Sequence, residues 1–84
     1  MPKSDKLLEK ARRAPTNLRF TEVCQLAECY GFAFERQRGS HVQYLRPGYP
    51  KRLTLQPDKH GKSKPYQVRQ VLDIIDELTK QGGV

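Results

Sequence analysis

The hydrophobic period changes twice along this chain, and those changes limit the possible folds more than any other feature. Up to Tyr30 the apolar residues recur at helical spacing; from Phe32 to Gln56 they alternate; after Pro65 helical spacing returns. A period of 3.6 draws one stripe on a helix, and a period of 2 paints one face of a strand. Residues 5–13 read as a short helix with a thin stripe of Leu7, Leu8 and Ala11, ended by Ala14-Pro15-Thr16-Asn17. With so thin a stripe it must pack on something or fray. Residues 20–30 read as a second helix, with Phe20, Val23, Ala27 and Tyr30 on one side and Leu26 beside them. Thr21 with Glu22 suits its start, Gly31 its stop, and Glu22, Gln25 and Glu28 its exposed face.

Three strands are predicted next, over residues 32–37, 41–46 and 52–56. Arg38-Gly39-Ser40 joins the first two as a tight hairpin, and Pro47-Gly48-Tyr49-Pro50 joins the last two as a longer turn. In the middle strand Val42 and Tyr44 share one face, with His41, Gln43 and Leu45 on the other. A loop over 57–64 leads to Pro65, which suits a first helical turn. Val68, Val71, Leu72, Ile75 and Leu78 then mark one face of a helix running to about Lys80, ended by Gly82-Gly83. The expected order is α-α-β-β-β-α: a three-stranded antiparallel sheet with two helices over one face, an α+β two-layer domain.

A chain of 84 residues holds one domain with a small core. Its apolar runs are all far shorter than the ~20 residues of a membrane span. Met1-Pro2-Lys3-Ser4-Asp5 lacks the apolar stretch of a secretory leader, so a cytoplasmic protein is expected. Cys24 and Cys29 lie on different faces of a helix and cannot pair. Neither has a second cysteine or a histidine at metal-binding spacing, so no metal site is expected. Both are expected to be small core or half-buried residues.

The net charge of +7 is unevenly spread. Residues 36–69 carry nine Lys or Arg and a single acid, Asp58, for +8, while the other 50 residues sum to −1. A basic centre between neutral ends favours an anionic partner, most often nucleic acid. It also suits a plain solvated surface, and charge alone leaves both open.

One residue in this centre stands out chemically. His41 begins a strand directly after a Gly-Ser turn, on the face away from Val42 and Tyr44. An imidazole moves protons near neutral pH, and Arg36, Arg38, Arg46 and Arg52 around it would hold phosphate. That combination suits RNA cleavage. A base takes the 2′-hydroxyl proton, the oxygen attacks the adjacent phosphorus, and cations stabilise the added charge. No metal and no cofactor is needed for that route. A surface histidine with no role is the alternative the residues leave open. Lys59, Lys62 and Lys64 precede a helix N-terminus and are candidate phosphate contacts, with Ser40 in the turn beside His41. Tyr44, Tyr49 and Phe34 are candidates for base stacking. Of these, Phe34 is expected in the core and Tyr49 in an exposed turn.

The run Gly31-Phe32-Ala33-Phe34-Glu35-Arg36-Gln37-Arg38-Gly39-Ser40-His41 resembles the signature of the HicA family of mRNA-cleaving toxins. Leu53-Thr54-Leu55-Gln56-Pro57 and Tyr66-Gln67-Val68-Arg69-Gln70 add to that likeness, which covers about residues 20–80. The resemblance implies a fold like a double-stranded-RNA-binding domain and a metal-independent endoribonuclease activity. It also implies a catalytic role for His41 and a HicB-type antitoxin as partner. Residues 1–19 are then an extension with a short helix, and 81–84 a tail. Many members carry Pro-x-His after the third strand; here the run is Pro57-Asp58-Lys59, with His60 one place later, so no role passes to His60. Two other classes stay in contention: a non-catalytic RNA-binding module of the same fold, and a basic face that docks an acidic protein.

Overall fold

The computed structural model describes residues 3–80. The expected stop at Gly82-Gly83 and the tail over 81–84 lie outside the described residues. Helix α1 (Lys3–Arg13) is followed by a 3-10 turn (Pro15–Asn17) and α2 (Phe20–Cys29). Strands β1 (Ala33–Arg38), β2 (His41–Arg46) and β3 (Tyr49–Leu55) come next, then α3 (Pro65–Lys80). The strands form one antiparallel sheet in the order β1-β2-β3. This is the α+β order expected from the alternation of periods.

The two faces of the sheet differ sharply. Val42 and Tyr44 of β2 stand opposite Leu55 and Leu53 of β3, and all four are buried. They meet Val23, Leu26 and Ala27 of α2 and Val68, Val71, Ile75 and Leu78 of α3 in one apolar cluster. Leu7, Ala11 and Leu18 belong to the same cluster, so α1 packs on the domain. Ion pairs fix α1 at both flanks, Lys10 to Glu22 of α2 at 2.8 Å and Arg12 to Asp76 of α3 at 2.6 Å. Among the described residues, no helix covers the other sheet face.

Several local expectations are corrected. The start of α2 is capped from Arg19: its N–H donates to the Glu22 carboxylate at 2.9 Å, two residues before Thr21. Strand β3 begins at Tyr49, so the second turn shrinks to Pro47-Gly48, with Gly48 at φ +84°. Pro50 is tolerated because β3 is an edge strand, where a missing N–H need not break a ladder. All six residues of β1 are exposed, and Phe34, expected in the core, is 58% exposed. The helices cover β2 and β3 and stop short of this edge, leaving Phe34 edge-on to Tyr44 with ring centres 6.3 Å apart. Tyr49, expected in an open turn, is half-buried and packs edge-on to the buried Phe32 at 5.8 Å. Cys24 is half-buried, but Cys29 is exposed, because its spacing from Cys24 carries it off the apolar face.

Candidate active site

The β1–β2 hairpin places the histidine. Gly39 takes φ +57°, a conformation that allows the tight reversal, and His41 is the first residue of β2. His41 pairs with Arg38 across the turn, and Gln43 pairs with Arg36 on β1 and Thr54 on β3. Residues directly opposite in a ladder share a face. The bare face therefore carries Arg36 and Arg38, then His41, Gln43 and Leu45, then Thr54. His41 and Arg38 are exposed, and neither side chain has a hydrogen-bond or ion-pair partner among the described residues.

Two other arginines of this face are restrained. Glu35 is the extra residue of a bulge between Phe34 and Arg36. Its carboxylate reaches past β2 to Arg52 on β3, with Oε1 2.9 Å from Nε and Oε2 3.2 Å from Nη2. The same Oε1 lies 3.5 Å from Nε of Arg36. One carboxylate thus ties two cations in place and cancels one of them, leaving Arg38 as the untied cation nearest His41. Between these rows the buried side-chain oxygen of Gln43 accepts no hydrogen bond from any described residue.

The turn itself is held from both sides. Gln37 donates from its side-chain amide to the Gly39 carbonyl at 2.9 Å. Gln56 donates from its own to the Ser40 hydroxyl oxygen at 3.2 Å. The Gln56 N–H in turn donates to the side-chain oxygen of Gln67 at 2.9 Å, on the first turn of α3.

The remaining candidates sit apart. Arg46 ends β2, roughly 17 Å along the strand from His41. Its Nε donates to the Tyr30 carbonyl at 2.8 Å, at the C-terminal end of α2, which carries the partial negative charge of the helix dipole. Lys59 and Lys62 are exposed in the loop that leaves the His41 end of the sheet, and Lys64 is half-buried just before α3. That loop is ordered by Asp58, whose carboxylate accepts the N–H groups of Lys62 at 2.9 Å and His60 at 2.8 Å. Those two bonds hold the Asp58 carboxyl below its ordinary pKa. Ser63, buried, donates both its N–H, at 3.0 Å, and its hydroxyl, at 2.9 Å, to the Leu18 carbonyl, which anchors the loop against the N-terminal segment. Under the sheet, burial pushes the Cys24 thiol and the Tyr44 phenol up, so both stay protonated and outside the chemistry of the bare face.

Sequence reasoning singled out the histidine and the arginines but missed Glu35, Gln43, Gln56 and Gln67. Gln67 did leave a signal. It lies four residues before Val71 and eight before Ile75, a polar group on an apolar stripe, which asks for a buried partner. Glu35 left none, since a bulge shifts the pairing that simple alternation assumes.

Fold and site together define a small α+β domain whose uncovered sheet face presents one imidazole among arginines. The family model described as HicA toxin of bacterial toxin–antitoxin matches residues 20–81, and the chain belongs to that family of toxins. An antitoxin partner follows from that membership. No curated protein and no solved structure gave a match. No helix among the described residues is long and apolar enough to cross a membrane.

Proposed function

We propose that this toxin is a metal-independent endoribonuclease of the cytoplasm that cuts mRNA with His41 as its general acid/base. The observation that carries the reading is the pairing of an exposed His41 with an untied Arg38 on a bare sheet face, in a chain of the HicA family. Neutral His41 takes the proton of a ribose 2′-hydroxyl. The freed oxygen bonds to the adjacent phosphorus, and the bond to the 5′-oxygen breaks as that oxygen takes up a proton from water. Arg38 stabilises the charge that gathers on the phosphate oxygens, which is worth most where water is excluded. Arg36, Arg52 and Ser40 bind the phosphates on either side, and Lys59, Lys62 and Lys64 extend the track along the loop. A HicB-type antitoxin silences the protein by covering this face.

The alternative is an RNA-binding module without catalysis. It is favoured by one observation: no second acid or base among the described residues contacts His41. Purified protein in EDTA, mixed with a defined single-stranded RNA beside His41→Ala, separates the two. Cleavage by the native protein alone, with both samples folded by circular dichroism, is expected. RNA bound equally by both and cut by neither supports the module and overturns the nuclease.

A further inference from the structure

No side-chain hydrogen bond or ion pair with a described residue orients the exposed imidazole of His41, so its position is set by the turn it follows. Gln67 is 6% exposed, and a buried amide is kept where its hydrogen bonds are made. Its oxygen takes the Gln56 N–H at 2.9 Å, and the Gln56 side-chain amide donates to the Ser40 hydroxyl oxygen at 3.2 Å. The Gln67 amide nitrogen lies 3.5 Å from the Tyr66 hydroxyl. A polar chain therefore runs from the buried seam of α3, through the end of β3, to the residue preceding His41. Strand β3 ends at Leu55, so Gln56 lies just past the ladder and its N–H is paired through Gln67.

We propose that Gln67 and Gln56 are positioning residues that fix the Ser40–His41 turn, and with it the place of the imidazole on the sheet face. Neither touches the reacting atoms. The role rests on the ribonuclease reading for its effect on rate, but not for its effect on the turn. An imidazole displaced by about 1 Å loses much of its advantage, so the expected loss in kcat is roughly 10- to 100-fold with little change in KM.

Gln56→Ala is the test, with Gln67→Met as a volume-matched change in the seam. Two quantities are read: cleavage kinetics, and amide hydrogen exchange at Ser40 and His41 by NMR. Faster exchange at those two amides in Gln56→Ala, with the rest of the sheet unchanged and kcat down, supports the role. Unchanged exchange in both Gln56→Ala and Gln67→Met overturns it, as does an unchanged kcat. If the native protein cuts no RNA, the nuclease reading fails and exchange alone decides whether the turn is held. Should Gln67→Met fail to fold, Gln56→Ala, at the half-buried edge, still gives the answer.

Discussion

Glu35 is a carboxylate in the middle of the face proposed to meet phosphate, a group it would repel. Its contacts explain its presence: it holds Arg52 with both oxygens and touches Arg36. An exposed ion pair of this kind adds at most about 1 kcal/mol to stability, so its effect is mainly on where the cations stand and how much charge they show. Glu35→Gln raises the net charge from +7 to +8 and releases both arginines. In a His41→Ala background, where RNA stays whole, the variant is expected to bind single-stranded RNA more tightly at low salt. The slope of log K against log salt should steepen by about 0.7 for each phosphate newly engaged. Anisotropy titrations over a salt series measure it. An identical slope in both proteins would show that neither arginine reaches phosphate. A second residue-scale consequence concerns Tyr44, whose hydroxyl donates to Glu28 at 3.3 Å under the sheet. Buried beside Cys24, it is kept from the base stacking that its sequence position suggested.

At the scale of elements, the helices and the middle strand were legible because each carries a full period of pattern. Helix α3 runs from Pro65 to Lys80 as its stripe and leading proline indicate, and β2 spans His41–Arg46 as expected. The face of His41 was legible for the same reason. What was not legible depends on neighbours: whether the helix layer reaches β1, which exposes Phe34, and whether Tyr49 joins the ladder, which half-buries it. Alternation states which residues share a face but not whether anything covers that face. The α1–α2 junction gives a prediction at this scale. The Glu22 carboxyl is held below its ordinary 4.5 by its bond to the Lys10 ammonium first, then by the Arg19 N–H. A lowered folded pKa means the bond stabilises the fold above the unfolded value and is lost as pH falls through the folded one. Glu22→Gln should therefore melt below the native protein at pH 7, and the gap should close in acid as both forms become neutral. Thermal melts at neutral pH and near pH 3 show it; a gap that persists in acid would place the effect in packing instead of charge.

For the whole molecule the telling fact is that the family match begins at residue 20 while the core does not. Leu7 and Ala11 of α1 are buried in the same cluster as α2 and α3, Ala11 completely. Lys10 and Arg12 bind the two helices on either side. In a chain of this size the net stability is on the order of 5–10 kcal/mol, and each buried large aliphatic side chain contributes about 1.5–3 kcal/mol of it. Removing α1 takes away Leu7 and part of Leu8, and uncovers the α2 and α3 surfaces they touch. That loss is comparable to the whole margin. A chain lacking residues 1–14, which keeps Leu18 and its anchor on Ser63, is therefore expected to melt at least 10 °C lower and to expose apolar surface to a hydrophobic dye. It should regain the native melt only when α1 is supplied in the same chain. Leu7→Ala, a milder form of the same change, should cost about 2–3 kcal/mol. If the shortened chain melts like the full one, α1 rests on the surface without holding it, and its place in the core cluster has no energetic meaning. If it melts early yet still cuts RNA below its melting point, stability and the hairpin site are carried by different parts of the chain, as the separation of α1 from the bare face requires.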